Sequence, residues 1–342
     1  MRTVAARTLT GTAIFAVPLT VIAVVANAMA APADLRIVVN FLISLVLVLA
    51  IQSFSGNTGI ISFGHLAFMG VGAYTAAILT IDPVLKEDDF GGLPAFMADH
   101  SIGFLPAVAL GGLVGMVVAA IVGVVLTRRR EGAMAMATIG VLVIFFVVFD
   151  NWEGVTQGNT GIAGVPQSTT VFAALVFAIL AIAVARAFAE SRAGLQLRAS
   201  RTDPVASEAL GSNVVRLRWV AWTLSGAIMG VGGALWAQYN IAVGPQQFFF
   251  EQTFPLLAML VVGGLTSVSG GVVGVFVVTV VFEAVRRLED DIAIAGLTQI
   301  VVAVLILVVL NRRPDGLVGT TEVDRLWARF RSRRRVARGG AR

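Results

Sequence analysis

Residues 35–81 read LRIVVNFLISLVLVLAIQSFSGNTGIISFGHLAFMGVGAYTAAILTI, and this stretch decides the fold. It contains two apolar runs, Leu35 to Phe54 and Ser62 to Ile81, which are separated by a short joint of serine, glycine, asparagine and threonine. A helix needs about 20 predominantly apolar residues to cross a lipid bilayer. Each run has that length, so the stretch predicts two neighbouring membrane-spanning helices.

The same pattern continues along the whole chain, in which 57% of the residues are hydrophobic and 13% are charged. A soluble domain carries about 25% charged residues, so lipid is the expected solvent for most of this sequence. The expected spans are Thr8–Ala30, Leu35–Phe54, Ser62–Ile81, Phe104–Thr127, Gly132–Phe149, Thr170–Phe188, Leu217–Tyr239, Phe254–Val268, Gly271–Arg287 and Ala293–Leu310. We therefore predict an all-α integral membrane protein, a polytopic helical bundle of about eight to ten transmembrane helices.

Three of these spans need a separate argument. The run Thr8 to Ala30 imitates a signal peptide, but it is longer than the usual apolar core of about 7 to 15 residues, so an uncleaved first span is predicted. The runs Phe254 to Val268 and Gly271 to Arg287 are short and meet in a glycine-rich joint. This pair is predicted to be broken or re-entrant instead of forming two full crossings.

The positions of the basic residues predict the orientation of the bundle. With ten crossings and the N-terminus inside, all but four of the 25 basic residues fall on the inner side. The exceptions are Arg36, Lys86, Arg286 and Arg287. Because inner loops of membrane proteins carry an excess of lysine and arginine, we expect a multi-pass protein of the cell membrane with both termini in the cytoplasm.

The residue inventory excludes several kinds of function. The chain has no cysteine and only two histidines, so no metal site, cofactor or thiol chemistry is expected, and neither is enzymatic activity. The net charge of +5 comes from basic residues at the ends of apolar runs, so nucleic-acid binding is not expected. Lys86 is the only lysine, which leaves no nucleotide-binding P-loop. Apolar runs almost free of ionisable groups also argue against an ion-coupled carrier.

The longest inner connection, residues 190–216, has the signals of a structured element. Asp203 is a good helix N-cap, and the following proline suits the first helical position. A short helix over Val205 to Leu210 can end at Gly211 in a left-handed conformation. Such a helix suits docking on a soluble partner, although a simple basic linker would also be consistent with the composition.

Several motifs resemble the permeases of the branched-chain amino-acid ABC transporter family, and are closer to the longer of its two permease types. They are GNTGIISFGHLAFMGVGAYTAAIL, GNTGIAGVP, TDPVASEALGSNVVRLRWVAWTLSGAIMGVGGALWA, MLVVGGLTSVSGGVVG and RRPDGLVG, in the order found in the family. Residues 208–211, Glu-Ala-Leu-Gly, stand where the family has its Glu-Ala-x-Gly element. The resemblance covers roughly residues 52–319.

The resemblance implies the permease subunit of an importer for branched-chain or related amino acids. The implied partners are a second homologous permease, two cytoplasmic ATPase subunits and an extracytoplasmic solute-binding protein. The implied ATPase-coupling residues are Arg201, Asp203, Glu208, Ala209 and Gly211. Similar permeases serve urea and short amides, and a self-sufficient channel or secondary carrier is the alternative from another class.

The solute path is predicted along the third span and its approach, the most glycine-interrupted membrane segment of the chain. Broken helices are the places where transporters expose backbone groups to a substrate. The candidate lining residues are Asn57, Ser62, His65, Tyr74 and Thr75. The alternative is that His65 and the glycines serve close helix packing.

The predicted domain organisation is a permease domain over residues 1–319, which includes the loop 190–216, and a basic cytoplasmic tail over residues 320–342. The tail places aromatic and leucine side chains among arginines. It is expected either to lie on anionic membrane lipid or to be disordered.

Overall fold

The computed structural model describes residues 2–90, 99–292, 296–320 and 322. Within these ranges the chain is almost entirely helical, and its one β contact is an isolated bridge between Ile162 and Val243. The predicted basic tail therefore lies outside the described residues apart from Thr320 and Glu322.

Ten apolar helices and four short ones build the described part of the chain. The apolar helices are α1 (Arg2–Met29), α2 (Pro32–Thr58), α3 (His65–Thr80), α5 (Phe104–Leu126), α6 (Glu131–Asn151), α8 (Val171–Glu190), α11 (Val214–Asn240), α12 (Phe250–Gly263), α13 (Val268–Ile292) and α14 (Leu297–Arg312). The short helices are α4 (Pro83–Asp89), α7 (Glu153–Thr156), α9 (Arg192–Ser200) and α10 (Pro204–Ala209).

The ten apolar helices coincide with the ten expected spans, which confirms the prediction of an all-α polytopic membrane protein. Among the described residues, seven of them are long and apolar enough to cross a membrane. The other three, α3, α12 and α14, have 16, 14 and 16 residues. At a rise of 1.5 Å per residue they measure about 21 to 24 Å, less than the roughly 30 Å of a bilayer core.

The short, interrupted helices are not the pair that the sequence indicated. Of that pair only α12 is short, because α13 begins at Val268 and continues to Ile292. The third span is interrupted as well as α12, since its helix begins at His65 and not at Ser62. Residues 59–64 between α2 and α3 are not helical, and we call them the α2–α3 joint.

The ends of the helices lie on two opposite sides of the bundle. On one side, Arg218 of α11 forms an ion pair of 2.6 Å with Glu131 of α6. There too, Arg201 lies 3.5 Å from the carbonyl oxygen of Gly56 near the end of α2. We call this the arginine-rich side, because it carries residues 128–130 and the loop 190–216. At the opposite side, the bridge between Ile162 and Val243 joins the loops that follow α7 and α11.

Glycines allow the central helices to touch through their backbones. A Cβ atom on Gly72 of α3 would lie 2.1 Å from the carbonyl oxygen of Gly230 of α11. On the next turn of α11, a Cβ on Gly233 would lie 2.0 Å from the carbonyl oxygen of Met69. Small residues at such crossings are typical of helix packing in membranes, where apolar side chains gain little from contact with one another. Helices α2, α3, α5 and α11 therefore form the centre of the bundle.

The segment after α14 folds back against the turn between α12 and α13. The backbone amide of Leu317 donates a hydrogen bond of 2.9 Å to the carbonyl oxygen of Val262. The carboxylate of Glu322 accepts hydrogen bonds from the backbone amides of Val268 and Ser269 at 2.9 and 3.1 Å. An anionic acceptor at a helix N-terminus is stabilising, so Glu322 explains why α13 begins at Val268.

Candidate functional site

The α2–α3 joint is a non-helical backbone segment in which Ile60, Ser62 and Gly64 are buried, whereas Gly59 and Ile61 are exposed. Gly59 ends α2 in a left-handed conformation, with φ of +78°. The amide of Phe63 donates a hydrogen bond of 3.1 Å to Oγ1 of Thr138, which stands seven residues into α6. Seven residues of helix correspond to about 10 Å of depth. Non-helical backbone at such depth occurs where it is buried in protein or lines a water-filled cavity.

His65 holds the joint to the neighbouring helix α11. Its Nδ1 lies 2.8 Å from Oγ of Ser62, and its Nε2 lies 2.7 Å from Oγ of Ser225. The ring is fully buried, packs edge-on against Trp222 at a centroid distance of 4.8 Å, and contacts the tilted ring of Phe54 at 5.7 Å. Ser62 and His65 are thus the two predicted path residues that the structure brings into direct contact.

The other predicted path residues are distributed along the helices. Asn57 is buried near the end of α2, and its amide donates to the carbonyl oxygen of Ser53 at 2.8 Å. Thr75 is half-buried on α3, and its hydroxyl donates to the carbonyl oxygen of Val71 at 2.7 Å. Both side chains therefore donate their hydrogen bonds to backbone carbonyl oxygens of their own helices.

Tyr74 occupies a third environment, between the rings of Phe149 and Phe248 at centroid distances of 4.9 and 5.7 Å. Its hydroxyl is buried and has no hydrogen-bond partner among the described residues. A buried hydroxyl without a partner costs about 1–3 kcal/mol. The five candidates therefore do not form one pocket in this conformation.

Sequence reasoning missed the two hydroxyl side chains that hold the joint, Thr138 and Ser225. Both stand in long apolar runs, where a lone hydroxyl is a recognised means of joining helices. It also missed Ile61 and Phe63, whose side chains are partly exposed, whereas Ser62 between them is buried. The joint is not helical, so this alternation cannot be read from a helical pattern.

The short helix predicted between Asp203 and Gly211 in the loop 190–216 is present, and a second helix, α9, precedes it. The helix α10 begins after Asp203, whose Oδ1 accepts a hydrogen bond of 2.9 Å from the amide of Ala206. Gly211 follows the helix with φ of +87°, in the left-handed region. Val205 and Leu210 are 76% and 87% exposed. The surface of α10 thus presents two large apolar side chains to the solvent, and Glu208 and Ala209 are exposed beside them.

Arg201 connects this loop to the α2–α3 joint. Its guanidinium Nη1 lies 3.5 Å from the carbonyl oxygen of Gly56. Its aliphatic stem covers Gly59, where a Cβ atom would lie 2.5 Å from Cδ of Arg201. A movement of α10 would therefore reach the start of the joint through one side chain.

The described residues contain no group of three or more histidine, cysteine, aspartate or glutamate side chains that could hold a metal ion. The site consists of a pinned, non-helical joint, an exposed helix and a side chain between them. These parts do not bring together a nucleophile and a general base.

Comparisons with known proteins agree on the family. Residues 35–310 match the family described as the permease component of the branched-chain amino acid transport system. The chain is 24% identical to the high-affinity branched-chain amino acid transport system permease protein LivM of Salmonella typhimurium, over 90% of this chain and 75% of that protein.

The names of other relatives indicate a wider range of cargo. The LivM protein of Escherichia coli K12 is similar to the same extent, 24% identical over 90% of this chain and 75% of its own length. The nucleoside ABC transporter permease protein NupC of Lactococcus lactis is 26% identical over 54% of this chain and 61% of its own length. No solved structure matches the chain. The match over residues 35–310 shows that the chain belongs to the branched-chain amino acid transport permease family.

Proposed function

We propose that this chain is the permease subunit of an ATP-driven importer in the cell membrane, with both termini in the cytoplasm. It forms the translocation path for branched-chain or related amino acids. Its partners are a second homologous permease, two cytoplasmic ATPase subunits and an extracytoplasmic solute-binding protein. Family membership supports this proposal, and the link from the exposed helix α10 through Arg201 to the α2–α3 joint is the observation that carries it.

The helix α10 is the proposed docking element for an ATPase subunit. Asp203 and Gly211 fix its two ends, while Glu208 and Ala209 lie on its exposed surface beside Leu210. A short helix with exposed apolar side chains suits a groove on a soluble partner. Arg201 then transmits the displacement of α10 to Gly59 at the start of the joint.

The α2–α3 joint and α3 form the proposed inner part of the solute path. Asn57 and Ser62 lie at its start, His65 anchors it, and Tyr74 and Thr75 lie farther along α3. The single chain buries four of these side chains. Their exposure to solute therefore requires the joint to move, which is the role that ATP-driven displacement of α10 would have.

A nucleoside is the second candidate cargo, because NupC is similar over about half of this chain. The guanosine ABC transporter permease protein NupQ of Bacillus subtilis, 24% identical over 61% of this chain, adds to that support. Both candidates share the same mechanism of coupling. They differ only in the chemistry that the path must accept.

The test is purification of the chain with its membrane partners, followed by reconstitution in proteoliposomes with the binding protein and ATP. We expect uptake of leucine, isoleucine or valine that requires ATP. Glu208→Lys should abolish ATPase association, whereas Glu153→Lys, a charge reversal on the exposed α7 at the opposite side, should not. Uptake by the chain alone, without ATP, would instead identify a self-sufficient carrier or channel.

A further inference from the structure

Five phenylalanine rings form a continuous, partly exposed strip across three separate elements. Phe63 of the joint contacts Phe254 of α12 at a centroid distance of 6.5 Å, and Phe254 stacks on Phe250 at 5.8 Å. Phe250 contacts Phe249 at 4.6 Å, and Phe249 stacks on Phe146 of α6 at 4.2 Å. We call these residues the phenylalanine strip. Phe254 is 57% exposed, and the other four are partly exposed.

The strip differs from the other aromatic cluster of the molecule in its burial. Phe54, His65, Phe68 and Trp222 pack against one another with almost no exposed surface. That cluster is core, and its role is to hold α2, α3 and α11 together. The strip, in contrast, presents ring faces and edges outward, so core packing does not account for it.

Bulk lipid is an unsuitable neighbour for the surface that contains the strip. At one end the strip reaches Phe63 in the non-helical joint, two residues after exposed Ile61, and such backbone is not found facing lipid. At the other end the surface includes Glu251, an exposed carboxylate one turn before Phe254 on the same side of α12. Glu251 lies in the first turn of α12, where the helix dipole favours an anion. Helix α6 contributes Phe146 to this surface, and α14 packs on α12.

We infer that the phenylalanine strip lines the solute path and holds the apolar side chain of an amino acid in transit, with Glu251 facing its ammonium group. This inference rests on the proposed function. Aromatic rings bind aliphatic groups by removing apolar surface from water. An exposed carboxylate beside them complements the positive end of a zwitterion. The two features together match an amphipathic amino acid with a branched aliphatic side chain.

Accessibility to a charged thiol reagent tests the lining role. The chain has no cysteine, so Phe254→Cys introduces a single target into this subunit, and labelling is measured on this subunit within the complete transporter. The matched control is Phe276→Cys in the middle of α13, where the phenylalanine is 49% exposed on an apolar face. With a membrane-impermeant methanethiosulfonate, Phe254→Cys should react at least tenfold faster than the control, in the nucleotide-free or the ATP-and-vanadate state. Equally slow reaction in both states would overturn the inference.

Uptake measurements test the proposed specificity. Phe254→Ala should lower leucine uptake about tenfold relative to glycine uptake, because it removes contact with the larger apolar side chain. Glu251→Gln should lower the uptake of both amino acids about equally, and Gln252→Glu is the control for a charge change at the neighbouring exposed position. Unchanged leucine preference in Phe254→Ala would contradict the inference. Uptake of a nucleoside that is insensitive to Glu251→Gln would also contradict it, because a base could stack on the strip without an ammonium group.

The two proposals can fail separately. ATP-driven amino-acid uptake by the unmodified transporter, together with an unreactive Phe254→Cys, would retain the proposed function and reject the strip as the path. Rapid labelling of Phe254→Cys without any amino-acid uptake would reject the proposed cargo while showing that the strip faces water.

Discussion

Replacing Gly211 with valine should weaken the association of this chain with its ATPase subunit. Gly211 has φ of +87°, and its amide donates a hydrogen bond of 2.9 Å to the carbonyl oxygen of Glu208 at the end of α10. A left-handed conformation costs a residue with a side chain about 1–2 kcal/mol. A Cβ atom at this position would meet no heavy atom within 4 Å. The whole cost is therefore conformational, with no contribution from a clash.

That cost converts directly into an expected change in affinity. Since about 1.4 kcal/mol corresponds to a factor of ten, a loss of 1–2 kcal/mol predicts roughly 5- to 30-fold weaker binding when the partner requires the observed end of α10. The measurement is the dissociation constant of the detergent-solubilised permease for the isolated ATPase subunit. ATP-dependent uptake in proteoliposomes should fall in parallel.

Two control variants separate backbone strain from the size of the new side chain. Gly211→Asn adds a side chain that tolerates the left-handed region, so it should bind the ATPase nearly as well as the unmodified chain. Gly132→Val changes a glycine of the same side that also has open space around it but an ordinary φ, and it should leave binding unchanged. Equal affinities for Gly211→Val and Gly211→Asn would refute the argument, because then the left-handed end of α10 would not matter to the partner.

Three further outcomes are expected. Gly72→Val should lower the stability of the purified chain by about 1–3 kcal/mol, because a Cβ there would lie 2.1 Å from a carbonyl oxygen of α11. Gly140→Val, at a position with open space around it, is the control. Equal melting temperatures of the two variants would contradict the close crossing. Glu322→Gln should cost roughly 0.5–2 kcal/mol at the start of α13 and speed amide exchange there, whereas unchanged exchange would remove the capping role. Reporter tags after Arg342 and within residues 87–99 should report opposite sides of the membrane.

The positions of the membrane helices could be predicted because they depend on the length of each apolar run. Helix α5 was expected from Phe104 to Thr127 and is observed from Phe104 to Leu126. The end of α10 was predictable for a similar reason, since Asp203 and Gly211 act on residues next to them in sequence. Local signals of this kind need no knowledge of the rest of the fold.

The errors arose where a distant residue decides the local structure. The imidazole of His65, the first residue of α3, is held by Ser225, which is 160 residues away. Helix α13 starts at Val268 because Glu322, 54 residues away, accepts the hydrogen bond of its first amide. Neither partner could be assigned from one sequence. The helix α9 is a different case: Ser191 caps it, with Oγ accepting from the amide of Gly194 at 3.1 Å, and that local signal was present but overlooked.

The hydrogen bonds of the α2–α3 joint indicate why a movement would occur there and not within a helix. Isolated side chains satisfy its backbone: the amide of Ile60 binds Oγ1 of Thr58 at 3.1 Å, and the amide of Phe63 binds Oγ1 of Thr138 at 3.1 Å. Breaking one such bond costs about 0.5–1.5 kcal/mol, whereas unwinding a membrane helix would expose several backbone groups at once to a medium without water. A displacement of Arg201 would therefore cost less free energy if the joint rearranges than if one of the adjoining helices unwinds. Rearrangement would be concentrated in residues 59–64, next to the ring of Phe63.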